Sequence, residues 1–187
     1  MRKVMTLFLI ASIAFSLNAF AKEIAGISLE PQRNMDGQTF TLQGAGVRDK
    51  FFMDLYVASL YAPKTYESAS ALMMADEPMS ISLHIISSLI TSEKMEEATR
   101  EGFINATEGK TAPIAHQIET FIAIFKEPIA VGDVYDLRYS PNVGVKIYKN
   151  NTLRVSIAGL SFKQALFGIW LGDKPAQESL KKALLGK

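Results

Sequence analysis

LQGAGVRDKFFMDLYVASLY, the stretch from Leu42 to Tyr61, decides the fold. Its second half, Phe51 to Tyr61, is rich in aromatic and branched residues and is apolar at both odd and even positions. A strand with this pattern is covered on both of its faces. Gly44 and Gly46 predict a backbone bend where two strands meet. The stretch therefore predicts a buried strand of a layered domain, with the arginine Arg48 just before it.

Further strands are predicted on both sides of this stretch. They are indicated by runs of apolar and branched residues, some of them alternating, that turn residues separate. The predicted strands and turns are Ile24 to Leu29, a turn at Asn34 to Gly37, Gln38 to Leu42, Met79 to Ser88, Val134 to Tyr139, and a hairpin of Val143 to Lys149 and Thr152 to Ala158 around Asn150-Asn151.

Four helices complete the expected element order. Thr91 or Ser92 caps the first helix, which runs to about Ala106. Three glutamates lie near its N-terminus, which is the positive end of the helix dipole. The other three are Pro113 to Phe125, Phe162 to Leu171 before Gly172, and a last helix from near Pro175 to Leu185. The only tryptophan, Trp170, is interpreted as packing. Because strands and helices come in blocks without regular βαβ alternation, the fold class is α+β with a largely antiparallel sheet.

The first 21 residues have the organisation of a secretory signal peptide. Arg2 and Lys3 form a basic start, residues 4–17 are largely apolar, and Ala19-Phe20-Ala21 is a small-x-small cleavage site. A membrane span is the competing interpretation, but the apolar run is short for a bilayer and no stop-transfer pattern follows it. We expect cleavage after Ala21, a periplasmic or secreted mature chain, and no integral membrane segment after cleavage.

Composition limits the number of domains and the kinds of partner. Residues 22–187 have the length of one domain. Without Arg2 and Lys3, 18 basic residues stand against 19 acidic ones, which argues against a nucleic-acid partner and a polybasic membrane patch. The chain has no cysteine, so stability must come from packing, which 48% hydrophobic residues can supply. The sequence leaves the oligomeric state open.

Metal and covalent chemistry have little support in the sequence. The two histidines, His84 and His116, are far apart and lack ligand spacing, so no metal site is expected. Counting residues does not exclude a Ser–His–Asp triad, but the chain has no G-x-S-x-G elbow. Gly44-Ala45-Gly46 is not a dinucleotide fingerprint, because Asp49 stands at the third glycine position and a strand follows. No cofactor is expected.

Arg48 is the strongest candidate for a binding residue. A guanidinium is rarely buried unless a negative or hydrogen-bonding group meets it. One interpretation is a salt bridge with Asp49, Asp54 or a distant carboxylate at the rim of the sheet. The other depends on Tyr56, which shares a face with Arg48 if the strand is regular, whereas Tyr61 lies on the other face. An arginine and a phenol beside an apolar cleft would make a carboxylate or enolate site.

Three motifs give the chain a resemblance to a known family. G-A-G-V-R at residues 44–48, followed by K-F, and Y-V-A-S-L-Y at residues 56–61 resemble the chalcone isomerase fold. F-K-Q-A-L-F-G-I-W-L-G-D-K-P at residues 162–175 resembles the bacterial chalcone-isomerase-like proteins in particular. The resemblance covers nearly the whole mature chain. It implies an open-faced sandwich, in which a large antiparallel sheet is layered with helices and a cleft lies between them.

The resemblance also implies an isomerase site, but only part of one is present. Plant chalcone isomerases close a chalcone into a flavanone, and an arginine stabilises the developing negative charge. Arg48 matches that arginine. Tyr56 stands at a threonine position, Thr91 at a tyrosine position and Ala98 at an asparagine position of those enzymes. Thr91 can still donate a hydrogen bond, but Ala98 cannot. The set of residues that positions the ligand in the plant enzymes is therefore incomplete in this chain.

The fatty-acid-binding relatives of the same family fit this pattern better. They hold a carboxylate with an arginine and a tyrosine, which Arg48 and Tyr56 match, with Tyr61 as the less favoured partner. The resemblance therefore implies non-catalytic binding of a small apolar acid such as a fatty acid. One alternative is an isomerase or intramolecular lyase acting on a chalcone-like α,β-unsaturated carbonyl, with Arg48 as its catalytic residue. Another is an interaction module in which Arg48 only neutralises a neighbour.

Overall fold

A computed structural model describes residues 21–187 of the chain. The predicted signal peptide lies outside the described residues, apart from Ala21. The described part forms a seven-stranded antiparallel sheet, a separate two-stranded hairpin and five α-helices. This architecture confirms the predicted α+β class and the antiparallel sheet layered with helices. Within residues 21–187, no helix is both long enough and apolar enough to cross a membrane.

The strands of the large sheet lie in chain order, so each one pairs with its neighbours in the sequence. The small hairpin consists of β1 (Lys22–Ile24) and β2 (Ile27–Leu29). The large sheet contains β3 (Gln32–Met35), β4 (Gln38–Lys50), β5 (Met53–Ala62), β6 (Met79–Ile85), β7 (Val134–Ser140), β8 (Gly144–Lys149) and β9 (Thr152–Ile157).

Five helices pack on this sheet or beside one another. They are α1 (Ala69–Met74), α2 (Ser92–Ala106), α3 (Ala115–Ile122), α4 (Leu160–Leu171) and α5 (Glu178–Leu184). Two short 3₁₀ turns, Ala112–Ile114 and Ala123–Lys126, flank α3. The single helix that the sequence predicted from Pro113 to Phe125 is therefore divided into three pieces.

The main hydrophobic core lies between the helices and one face of the sheet, which we call the helix face. Along β5, Tyr56, Ala58 and Leu60 point into this core. Val57 and Tyr61 belong to two smaller clusters on the other face, which we call the open face. The β1–β2 hairpin covers part of the open face. The strand at the centre of the quoted stretch is thus covered on both faces, as its apolar pattern predicts.

Several predicted boundaries in the first half of the chain were wrong. The expected strand from Ile24 to Leu29 is interrupted by a turn at Ala25-Gly26, where both φ angles are positive. Asn34 and Met35 belong to β3, so the following turn contains only Asp36-Gly37. The helix α1 was not predicted, because the segment between β5 and β6 has no long amphipathic pattern.

The predicted bend at Gly44 and Gly46 was also wrong. β4 continues through both glycines to Lys50, with an irregularity between Leu42 and Gly44. A Cβ on Gly44 would lie 2.1 Å from the carbonyl oxygen of Ala183, and one on Gly46 would lie 2.6 Å from the Ala183 Cβ. Both glycines therefore allow the close approach of α5 to the sheet.

Predictions in the second half of the chain were better. Thr91 is the N-cap of α2, and its side-chain oxygen accepts from the amide of Lys94. Asn150-Asn151 is the loop of the β8–β9 hairpin. The helix that contains Trp170 ends before Gly172, as expected, whereas α5 begins at Glu178, later than the sequence indicated.

Lys163 is a fully buried lysine in the middle of α4. Its ammonium donates to the carbonyl oxygens of Leu72 at 3.1 Å, Met73 at 2.8 Å and Ala75 at 2.8 Å. These carbonyls lie at the C-terminal end of α1, where a helix lacks internal donors and carries partial negative charge. Lys163 therefore ties α1 to α4 through the core.

The fold should become more stable between about pH 8 and roughly pH 9.5, because of Lys163. Burial lowers the pKa of its ammonium to about 8, although the charges of Asp76 and Glu77 oppose this shift. The unfolded chain, with an ordinary lysine pKa, binds more protons in this window, so the free energy of unfolding rises with pH by about 1–2 kcal/mol. Above about pH 10 the slope reverses, because burial raises the pKa of Tyr139 to about 12 and the unfolded phenol loses its proton first.

Urea unfolding at a series of pH values measures this change. Lys163→Met should lack the rise between pH 8 and pH 9.5, since the titrating group has been removed. An equal rise in the methionine variant would show that another group causes it.

Candidate functional site

Arg48 and Tyr56 lie opposite each other on neighbouring strands. Arg48 is near the end of β4, Tyr56 is near the start of β5, and the two residues are direct partners in the antiparallel ladder. Directly paired residues point to the same face of a sheet. Tyr56 belongs to the helix-face core, so Arg48 lies on that side as well. The structure thus brings the two residues together.

Arg48 meets an uncharged partner. The guanidinium is half-buried and donates through Nη1 to Oε1 of Gln177 at 3.0 Å and to the backbone oxygen of Asp49. The same Gln177 oxygen accepts from the amide of Asp49 at 3.0 Å. Among the salt bridges of residues 21–187, none involves Arg48, so the expected bridge to Asp49, Asp54 or another carboxylate is not found.

Tyr56 is almost completely buried, and its hydroxyl group accepts a hydrogen bond from Nε1 of Trp170 at 2.9 Å. Burial raises the pKa of the Tyr56 phenol, while the Trp170 hydrogen bond and the charge of Arg48 act in the opposite direction. The phenol is therefore neutral at physiological pH and keeps its proton. That O–H group has no acceptor among the hydrogen bonds of the described residues, so its capacity to donate is unused there.

Two residues at this site were not predicted from the sequence. Trp170 was interpreted as packing, although a lone tryptophan in a buried helix usually finds an acceptor for its N–H group. Gln177 had no sequence signal, because its position just before α5 becomes close to Arg48 only when α5 docks on β4.

Tyr61 and Thr91, the other predicted ligand-binding residues, make different contacts. Tyr61 is fully buried on the open face, and its hydroxyl donates to the carbonyl oxygen of Glu30 at 2.8 Å. The guanidinium of Arg33 lies 4.4 Å from the centre of the Tyr61 ring. Thr91 is exposed, and its hydroxyl oxygen caps α2. No hydrogen bond within residues 21–187 joins either side chain to Arg48 or Tyr56.

A polar cavity of about 510 Å³ lies on the open face of the sheet. A smaller one of about 110 Å³ is next to it, and neither is lined by Arg48 or Tyr56. The side chains that define the large cavity include Glu30, Arg33, His84, Asp136, Arg138 and Asn150. Sequence reasoning missed this cavity, because the residues come from separate strands and loops that only the folded sheet brings together.

The polar side chains of the open face largely satisfy one another. Asp136 accepts from Ser80 at 2.5 Å and from Ser82 at 3.0 Å, and it also pairs with Arg138 at 2.7 Å. His84 and Ser59 are exceptions, because Nε2 of His84 and the buried Oγ of Ser59 have no hydrogen-bond partner among the described residues. Burial and then the charge of Arg33 lower the pKa of His84, so the ring is neutral at physiological pH. Within residues 21–187, no three His, Cys, Asp or Glu side chains form a metal-binding group.

Comparisons with known proteins agree with this architecture. Residues 21–186 match the model of a family described as chalcone isomerase-like. No curated protein matches the chain. Among solved structures, the crystal structure of a fatty-acid binding protein from Arabidopsis thaliana is similar, with a TM-score of 0.70 and 18% sequence identity. The match covers 86% of this chain and 92% of that one, and at this identity it shows a shared fold.

Proposed function

We propose, since the chain belongs to the chalcone isomerase-like family, that it binds a small apolar carboxylic acid without catalysing a reaction. A fatty acid is the leading candidate. The observation that carries the proposal is the Arg48–Tyr56 pair on the helix face, which offers guanidinium and phenol donors side by side. The shared fold with a plant fatty-acid binding protein supports this class of ligand.

The carboxylate of the ligand takes the position that the side chain of Gln177 holds in the structure. Oε1 of Gln177 lies 3.0 Å from Nη1 of Arg48, which is the distance of a bound oxygen acceptor. A carboxylate is a stronger acceptor than an amide and can engage two guanidinium N–H groups at once. The O–H group of Tyr56, oriented by Trp170, supplies a further donor to the same head group.

The tail of the ligand lies between the sheet and the helices, against the apolar side chains that surround Tyr56. Ala58 and Leu60 follow Tyr56 along β5, and Leu180 and Trp170 belong to the same core cluster. Each methylene group that leaves water in this environment contributes about 0.8 kcal/mol to binding. Binding in this core requires α5 to move outward. The contact that the ligand replaces is the one between Arg48 and Gln177, which stands just before α5.

The isomerase alternative has weaker support from the same residues. The hydroxyl oxygen of Thr91 caps α2, no hydrogen bond within residues 21–187 joins Thr91 to Arg48 or Tyr56, and Ala98 carries no donor. The raised pKa of Tyr56 makes a phenolate base scarce near neutral pH. Arg48 could stabilise an enolate, and the neutral phenol of Tyr56 can only act as an acid, so the described contacts of this pair supply no base for a proton transfer. Binding therefore explains the arrangement with fewer requirements.

We also propose that the protein functions outside the cytoplasm, in the periplasm or after secretion. The support is the signal-peptide organisation of residues 1–21, and the mature chain would begin at Lys22.

Arg48→Ala should weaken the binding of palmitate by about 10- to 100-fold, because charge-assisted hydrogen bonds to the carboxylate are lost. Arg33→Ala is the matched control, since Arg33 lies beside a tyrosine ring on the open face and should leave the affinity unchanged. Gln177→Ala should strengthen binding several-fold, because the internal competitor is removed. Calorimetric titration of the three variants measures these changes, and circular dichroism confirms that each one is folded.

Different outcomes identify different errors in the proposal. If Arg33→Ala weakens binding and Arg48→Ala does not, the ligand occupies the open-face cavity. If no variant or wild-type protein binds palmitate, but a chalcone is cyclised and Arg48→Ala abolishes turnover, the protein is an enzyme. If Arg48→Ala mainly unfolds the protein, Arg48 has a structural role.

A further inference from the structure

The hairpin between β4 and β5 ends in two exposed phenylalanines. Lys50 pairs with Met53, so Phe51 and Phe52 are the whole loop. Their φ angles are 51° and 65°, which corresponds to a type I′ turn. Phe51 is 78% exposed and Phe52 is fully exposed. The sequence prediction, which placed both residues in a buried strand, was wrong at this point.

The other two-residue hairpin loops of the described chain use small or polar residues. They are Ala25-Gly26, Asp36-Gly37 and Asn150-Asn151, and each has two positive φ angles. Glycine, asparagine and aspartate tolerate this left-handed region, whereas a bulky side chain clashes with the backbone there. Phe51-Phe52 is therefore the one loop of this type in residues 21–187 with two side chains that oppose its conformation.

Neither packing nor turn chemistry accounts for these two rings. They are too exposed to contribute to the core, and they strain the turn that they form. Strained residues that packing does not require are concentrated at functional sites in proteins. Exposed apolar side chains in a group are also a mark of an interaction surface. The two observations are independent, and both point to the same residues.

More apolar side chains lie at the same end of the sheet. In an antiparallel sheet in chain order, β4 and β6 end where β5 and β7 begin. Met53 at the start of β5 is 44% exposed, and Val131 in the loop before β7 is 59% exposed. Lys50 lies beside the tip, with its ammonium 5.8 Å from the Phe51 ring centre. An apolar tip with a cation at its base suits the boundary between lipid tails and head groups.

We propose that the Phe51–Phe52 tip inserts into the surface of a lipid bilayer. A convex tip of two rings offers only a few hundred Å² of apolar surface, which is small beside the roughly 800 Å² that each partner contributes to a specific protein interface. A fluid bilayer can close around such a tip without a complementary pocket. The inference does not require a bound ligand. If the proposed acid-binding function also holds, the tip brings Arg48, two residues before Lys50, close to a membrane that contains the ligand.

The test is the partition of the protein between buffer and vesicles of phosphatidylethanolamine and phosphatidylglycerol. The protein used spans residues 22–187, which contain every strand and helix described, because the apolar residues 4–17 would bind vesicles by themselves. Phe51→Asn/Phe52→Gly should lower the partition coefficient by about 100-fold, since each ring that leaves water contributes roughly tenfold. The same variant should have a higher Tm, because its turn is no longer strained.

Two further variants separate apolar character from turn geometry. Phe51→Leu/Phe52→Leu keeps an apolar, strained tip and should retain vesicle binding within about tenfold. Val143→Asn removes an exposed apolar side chain in the β7–β8 loop at the opposite end of the sheet and should change nothing. Wild-type protein that does not bind vesicles, or equal binding by the Asn-Gly variant, would overturn the proposal. If wild-type protein does not bind vesicles but captures a protein partner that Phe51→Asn/Phe52→Gly does not capture, the tip is a protein-binding surface.

Discussion

Gly44→Ala is expected to lower the free energy of unfolding by about 3 kcal/mol or more, a large effect for the addition of one methyl group. The new Cβ would lie 2.1 Å from the Ala183 carbonyl oxygen, 2.6 Å from the Gly186 amide nitrogen and 2.8 Å from the Leu184 carbonyl oxygen. All three are backbone atoms, so no side-chain rotation can relieve the overlap. Typical overpacking costs about 1–3 kcal/mol, and a rigid backbone contact lies at or beyond the upper end.

Gly46→Ala is the graded comparison for this prediction. Its new Cβ would lie 2.6 Å from the Ala183 Cβ and 3.2 Å from a Leu180 methyl group, which are side-chain atoms of the same helix. A small shift of α5 relieves this contact, so we expect a loss of about 1–2 kcal/mol. Urea unfolding followed by circular dichroism measures both variants. Equal stability of Gly44→Ala and wild type would show that α5 is not held against β4.

The Gly44 variant also connects the fold with the proposed site. Gln177 stands at the start of α5 and holds the guanidinium of Arg48. A displaced α5 removes this contact without any change to Arg48 or Tyr56. The motif G-A-G-V-R therefore has two structural roles. Its two glycines allow α5 to pack closely on β4, and its arginine binds Gln177, which stands just before α5. Each part of the motif depends on the other for its position.

The sequence predicted the parts of the fold that depend on local patterns. The apolar run of β5, the cap at Thr91 and the Asn150-Asn151 turn all follow from neighbouring residues, and each was confirmed. The sequence predicted that Arg48 and Tyr56 share a face of one regular strand, whereas the structure places them on neighbouring strands, where the irregularity between Arg48 and Asp49 pairs Arg48 with Tyr56. The resemblance to the chalcone isomerase fold supplied the arrangement of the layers.

What the sequence did not predict depends on contacts between distant segments. Glycines in a strand indicate either a bend or a close approach, and only the docked α5 decides between these for Gly44. Gln177 reaches Arg48 across 129 positions of the chain. The residues of the Phe51-Phe52 loop do not have the usual preference for its conformation. Aromatic residues favour strands, whereas glycine or asparagine favours this type of turn. A sequence departs from local rules in this way mainly where function requires it.

Lys163→Met is expected to lower the free energy of unfolding at pH 7 by about 3–5 kcal/mol, although the two side chains have similar volumes. The ammonium of Lys163 fills the gap between α4 and the end of α1, where it satisfies three carbonyl oxygens. Methionine cannot donate, and each buried carbonyl that loses its partner costs about 1–3 kcal/mol. Removal of a buried charge offsets part of this loss, because the lowered pKa of Lys163 shows that its burial is unfavourable.

Lys182→Met is the matched control, since Lys182 is exposed on α5 and should lose less than about 0.5 kcal/mol. Urea unfolding at pH 7 measures both variants, and amide hydrogen exchange locates the damage. Faster exchange in α1 than elsewhere is expected, because that helix loses the donors at its C-terminal end. A Lys163→Met protein as stable as wild type would mean that the cost of burying the ammonium equals its hydrogen bonds. The lysine would then serve to fix the position of α1 and add nothing to the stability of the fold.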